Sequence, residues 1–195
     1  RLQRQMCIRD RANASEGDQI LIFPGVYDEH IFLTSDIELL GAGNNNDTII
    51  RSSNETTIVI DSDSFRVENL TVRQTSPTGS FAIHVTRWAG TVAGCDISSA
   101  GLACVNVNYN ASPYIFNNII HSGNDAGVIY DDNSGGKIES NEIYNNSFAG
   151  IEIKGTSNPS ILSNQIHTGK EAGILVHESG RGMIARTDIF DNNFA

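Results

Sequence analysis

Residues 114–136 read YIFNNIIHSGNDAGVIYDDNSGG, residues 137–159 read KIESNEIYNNSFAGIEIKGTSNP, and residues 160–182 read SILSNQIHTGKEAGILVHESGRG. Aligned in this way, Ile115, Ile138, Ile161 and Ile184 fall 23 residues apart, as do Asn118, Asn141 and Asn164. Ile120, Ile143, Ile166 and Ile189 keep the same spacing, and so do Gly127, Gly150 and Gly173. A fixed period of this length marks a repeat architecture, in which each unit buries its apolar face only by stacking on the next.

Each unit carries three short apolar segments: I-x-x-N, then N-x-I, then A-G-[VI]-x-[IVY]. None is long enough for a three-turn helix, and β-branched residues at alternate positions suit short strands. Val128 and Tyr130, Ile151 and Ile153, and Ile174 and Val176 keep strand parity and are expected to point one way. The parity breaks between Ile115 and Asn118, so the chain should bend near the asparagine. Three short strands per turn of about 23 residues, joined by bends, predict an all-β fold: a right-handed, single-stranded parallel β-helix with turns about 4.8 Å apart. Asn118, Asn141 and Asn164 would then stack as a structural ladder, since an asparagine side chain both donates and accepts. Cys95 and Thr187 occupy the same register at the two ends, where the ladder should fray.

Composition narrows the function. The net charge of −10 disfavours nucleic acid and anionic membranes as partners. No stretch is long and apolar enough to span a bilayer as a helix. Three cysteines without paired spacing give no disulfide framework.

The first eleven residues, RLQRQMCIRDR, share no pattern with the rest of the chain. Part of them resembles a reading frame of a transposon end used in sequencing-library preparation, and residues 1–11 are set aside as a leader or scar. Without them, 9 basic against 22 acidic residues leave −13. Residues 12–195 then form the β-helix. The register loosens between Val72 and Ile97, 25 residues apart, with a longer loop expected around Pro77. The repeat stops in mid-unit at Ala195, so the chain reads as a fragment.

The opening GDQILIFPGVYDE (residues 17–29), the N-x-I steps at Asn141 and Asn164, and the A-G-I steps at Ala149 and Ala172 resemble the parallel β-helix repeats of carbohydrate-binding and sugar-hydrolase domains. They are most similar to the β-helix region of F-box substrate-receptor proteins. That resemblance implies substrate-protein recognition for ubiquitination, without chemistry of its own, within a longer chain.

Function should lie on the outer face of the A-G-I sheet. The register predicts three outward columns: Cys104 with Gly127, Gly150 and Gly173; Asn106 with Ile129, Glu152 and Leu175; Asn108 with Asp131, Lys154 and His177. Ile129 and Leu175 would form an apolar centre, the glycines would admit a partner close to the backbone, and the third column would form a polar rim. Asn106, Asn108, Ile129, Asp131, Glu152, Lys154, Leu175 and His177 are therefore the candidate binding residues for a protein or carbohydrate ligand. Asp131 and Glu152 could supply the two carboxyls of a glycosidase, but an ion pair of Asp131 with Lys154 is the plainer reading. No catalytic residue, metal site or cofactor is expected. His121 and His167, with Tyr144 between them, should stack in a lateral column instead of sharing a metal.

Overall fold

The computed structural model describes residues 2–4 and 14–194. The strands fall into three sheets of nine, eight and seven members, every neighbouring pair parallel. We call them sheets A, B and C in the order one turn visits them. In the turn from Tyr114, the strands are Tyr114–Phe116 in sheet A, Ile119–His121 in sheet B and Val128–Tyr130 in sheet C. Sheet C contains seven strands and thus spans seven turns of a β-solenoid. One 3-10 turn, Asn45–Asp47, is the only helical element among the described residues.

The corners explain why the sequence repeats with the backbone. Between sheets A and B, Asn117, Ser140, Ser163 and Arg186 all have φ of 51–55°. Between sheets B and C, Ser122, Asn145, Thr168 and Asp191 repeat the same conformation. After sheet C, two consecutive left-handed residues turn the chain, as at Asp132–Asn133 and Glu178–Ser179. Left-handed backbone favours small polar side chains, which is why Asn, Ser, Asp and Thr recur there. The first bend thus lies one residue before each ladder asparagine.

Inside, one isoleucine per strand fills the lumen: Ile115, Ile138 and Ile161 from sheet A, and Ile120, Ile143 and Ile166 from sheet B, all fully buried. Burying such a side chain contributes roughly 2–3 kcal/mol. Asn141 joins the turns beside them. Its Oδ1 accepts from the Asn118 N–H at 2.9 Å and from Asn118 Nδ2 at 3.0 Å. Its own N–H and Nδ2 donate to Asn164 Oδ1, both at 2.9 Å. At the ends, the Cys95 N–H still donates to Asn118 Oδ1 at 2.9 Å, while Asn164 N–H reaches Thr187 Oγ1 at 3.4 Å. A second, shorter polar column was not foreseen: Ser134 N–H donates to Ser157 Oγ at 3.1 Å in the corner after sheet C.

One feature departs from the sequence reading. Leu2–Arg4 form a strand paired in parallel with Gln19–Leu21, although the first eleven residues share no pattern with the later turns. Pairing on a sheet edge uses backbone groups and asks little of the side chains. The remainder of that stretch lies outside the described residues. The loosened register is as expected: Val72 pairs with Ile97, and the extra chain lies in Thr75–Ala82, turned by a Gly79 N–H to Ser76 O bond of 3.0 Å.

Candidate functional site

The outward column of sheet C runs through Phe32, Val59, His84, Asn106, Ile129, Glu152 and Leu175, each paired with the next. Beside it, Asp61, Thr86, Asn108, Asp131, Lys154 and His177 each donate their N–H to the carbonyl that ends the preceding strand. The columns read from the period are therefore real neighbours. Their exposure is not what the sequence suggested.

Ile129 is only 5% exposed, packed against Ala103, Ala126, Phe81 and Phe148. Strand parity directs it outward, but the chain entering sheet C from neighbouring turns covers it. Asn106 and Glu152 are likewise 6% and 5% exposed. Leu175 is half-buried. The glycine column does not open the backbone to a partner either. A Cβ on Gly127 would lie 2.6 Å from Gly150 O, and one on Gly150 2.4 Å from the Ile166 side chain. These glycines face inward and allow sheets B and C to meet. Cys104, at the head of that column, is buried, and burial pushes its thiol up to about 12.

The charged residues also regroup. His177 Nε2 lies 2.8 Å from Glu152 Oε1 and Lys154 Nζ 3.5 Å from the same oxygen. Lys154 thus pairs with Glu152, not Asp131. Asp131 Oδ1 instead accepts the Asp132 N–H at 2.7 Å, turning its carboxylate into the corner. The acid electrostatically coupled to Glu152 is Asp125, whose carboxyl is pushed up first by burial and then by the Glu152 charge. Asp131 and Glu152 thus have separate partners.

Further along the same face the surface opens. A cleft of about 820 Å³ is lined by Phe32, Asp61, His84, Arg87, Trp88 and Tyr109, among others. Trp88 is 67% exposed, Tyr109 62% and Phe32 44%. Exposed rings gathered in one concavity mark an interaction site far better than scattered ones do. The segment bearing Trp88 is fixed in place. Arg87 Nε pairs with Asp61 Oδ1 at 2.6 Å, and the Trp88 carbonyl accepts the Ser112 N–H at 2.6 Å.

On the cleft floor, His84 Nε2 lies 3.0 Å from Asn108 Oδ1. Burial lowers its pKa, outweighing the asparagine contact. The unfolded chain takes up this proton near pH ~6.5, and the folded protein takes it up only at a lower pH. The contribution is fully present above the unfolded value and is lost as pH falls from there through the lower folded value. Urea unfolding at pH 7.5 and 5.5 should show a smaller loss of stability for His84→Gln than for the unaltered chain; equal losses would contradict this.

The cleft was missed because its residues come from the irregular turns. Strand spacings there are 27, 25 and 22 residues. The available signal was the run of alternating triplets Ile31–Leu33, Ile58–Ile60 and Ile83–Val85, which continues the column once those spacings are admitted.

Comparison with known families agrees with this geometry. A family model described as a right-handed β-helix region matches residues 43–195. The chain belongs to the right-handed β-helix family. No curated protein matches it. The family match establishes the fold and its hand; it carries no likeness to F-box receptors.

This right-handed β-helix also bears the expected ring column on the outside of sheet B. His121 stacks on Tyr144 at 5.1 Å, Tyr144 on His167 at 5.5 Å, and His167 on Phe190 at 4.8 Å, with interplanar angles of 14° or less. Asp96 and Glu142 each lie 3.3 Å from one of the imidazoles. Among the described residues, no three His, Cys, Asp or Glu side chains are grouped to hold a metal. No helix among them is long and apolar enough to cross a membrane.

Proposed function

We propose that this β-helix is a non-catalytic recognition domain that binds a protein partner along the outer face of sheet C. The observation that carries this is the cleft with three exposed rings on a pre-set framework. Trp, Tyr and Arg are the residues that most often dominate binding energy, and rigid anchors lose little entropy on association. The binding centre in this proposal lies at Phe32, Trp88 and Tyr109, with Asn108, Asp131 and Lys154 continuing the polar side. The resemblance of the opening motif and repeat steps to the β-helix region of F-box substrate receptors is the ground for reading that partner as a substrate protein.

A carbohydrate-active enzyme, whether lyase, hydrolase or epimerase, is the second reading. Asp125 favours it, as an acid with a raised pKa beside Glu152. Against it, Glu152 is buried and tethered to both His177 and Lys154, an arrangement that also serves simply to neutralise a buried carboxylate.

Site-specific photo-cross-linking separates this face from the others. Benzoylphenylalanine in place of Tyr109 should give a discrete protein adduct in extract of the source cells, and in place of Phe116 on sheet A it should give none. Adducts only from Phe116, or the same adducts from both, would place the binding face elsewhere.

A further inference from the structure

Resting on the recognition reading, we infer that the Phe32–Trp88–Tyr109 cleft takes an extended, cationic segment of the partner, seating lysine or arginine side chains on the rings.

Three observations lead there. The first is shape. Phe32, Val59 and His84 lie on three successive strands of sheet C, and Tyr109 follows the fourth, Val105–Val107. Four strands at ~4.8 Å spacing span roughly 14 Å, the reach of about four extended residues at ~3.3 Å each. A compact side-chain cage would hold its rings in mutual contact; these are spread along an open groove.

The second is ring chemistry. The faces of Trp and Tyr attract ammonium and guanidinium groups, most strongly where water is partly excluded. The chain applies this chemistry to itself on sheet A, where Lys137 Nζ sits 5.2 Å from the centre of the Tyr114 ring.

The third is charge. The only cation among the cleft residues, Arg87, is already paired with Asp61. His84 is held towards its neutral form by burial. Two exposed acids stand, by register, in corners next to those of the rings: Asp63, one turn before Trp88 and within the span of the groove, and Asp132, one turn after Tyr109 and beyond its end. Asp132 is joined to that neighbouring corner through its carbonyl, which accepts the Asn110 N–H at 3.1 Å. With a whole-chain charge of −10, a cationic segment is drawn in, whereas an acidic one is repelled.

The chain supplies its own probe, because Trp88 is its single tryptophan. Hexa-arginine, hexa-serine and maltohexaose are titrated separately into the full chain while Trp88 emission is followed. Hexa-arginine should shift the emission saturably, and hexa-serine should not. Tyr109→Asn should weaken hexa-arginine binding by roughly tenfold. That substitution leaves the net charge unchanged and suits the left-handed φ of 53° at this position. Unchanged circular dichroism and thermal midpoint would show the variant is folded. Equal binding by Tyr109→Asn would mean that hexa-arginine is held by overall charge alone, and would overturn the inference. A shift by maltohexaose and not by hexa-arginine would overturn it in favour of a neutral glycan. No shift with any of the three would also overturn it, while the cross-linking result from Tyr109 would judge the recognition reading separately.

Discussion

Replacing Asn141 by alanine is expected to lower the unfolding free energy by about 4 kcal/mol. The side chain is buried and bonded on both sides. Its loss leaves the Asn118 N–H without its 2.9 Å acceptor and the Ile115 carbonyl without its 3.0 Å donor. Each buried group so stranded costs roughly 1–3 kcal/mol. Against a typical total of ~5–15 kcal/mol, that is a large share. Asn145→Gly is the matched control. Asn145 is exposed, its φ of 54° suits glycine, and its one side-chain bond, to Ser122 Oγ, lies at the surface. It should change stability by less than about 0.5 kcal/mol. Urea unfolding of the two variants checks the pair, and similar losses would mean that Asn141 does not bind the turns together.

Gly150→Ala should be comparably damaging, for a different reason. Its new methyl would lie 2.4 Å from the Ile166 Cγ2 and 2.7 Å from the Gly173 carbonyl oxygen. That carbonyl cannot yield freely, because it accepts the Ile151 N–H at 3.0 Å in the ladder joining adjacent turns. Overpacking at such a junction costs roughly 1–3 kcal/mol or more. Gly135→Ala is the contrast, since its nearest neighbour, Asn158 O, would be 3.4 Å away, an ordinary contact. A thermal midpoint clearly lowered for Gly150→Ala and nearly unchanged for Gly135→Ala is expected. The reverse order would contradict the inward placement of the glycine column.

The contrast between these glycines shows what a repeat reveals and what it hides. Asn118, Asn141 and Asn164 share a register because each occupies the same backbone corner, so spacing alone placed them in one column. The same logic gave the ring stack of His121, Tyr144 and His167, and the outward column through Ile129 and Glu152. Spacing fixes who is next to whom along the axis. It does not fix what lies over a column, and Ile129 disappears beneath Phe148 and Phe81 for that reason. Nor does it rank diagonal against lateral partners: Lys154 finds Glu152 on its own strand end instead of Asp131 one turn away. Gly127 and Gly150 show the same limit in another form, since parity at a strand's entry does not say whether the chain has already turned inward. The cleft was hidden most completely. Phe32, Trp88 and Tyr109 lie on turns of unequal length and share no spacing, so only the folded chain brings them into one groove.

Whether the outer face of sheet C binds or reacts can be decided by turnover. The unaltered chain, Asp125→Asn and Glu152→Gln would each be incubated with pectin, alginate, xylan and chitin, and new reducing ends and unsaturated products measured. If the face is a recognition surface, none of the three forms products above the protein-free rate. Products formed by the unaltered chain and lost in both variants would contradict it and assign the face to catalysis.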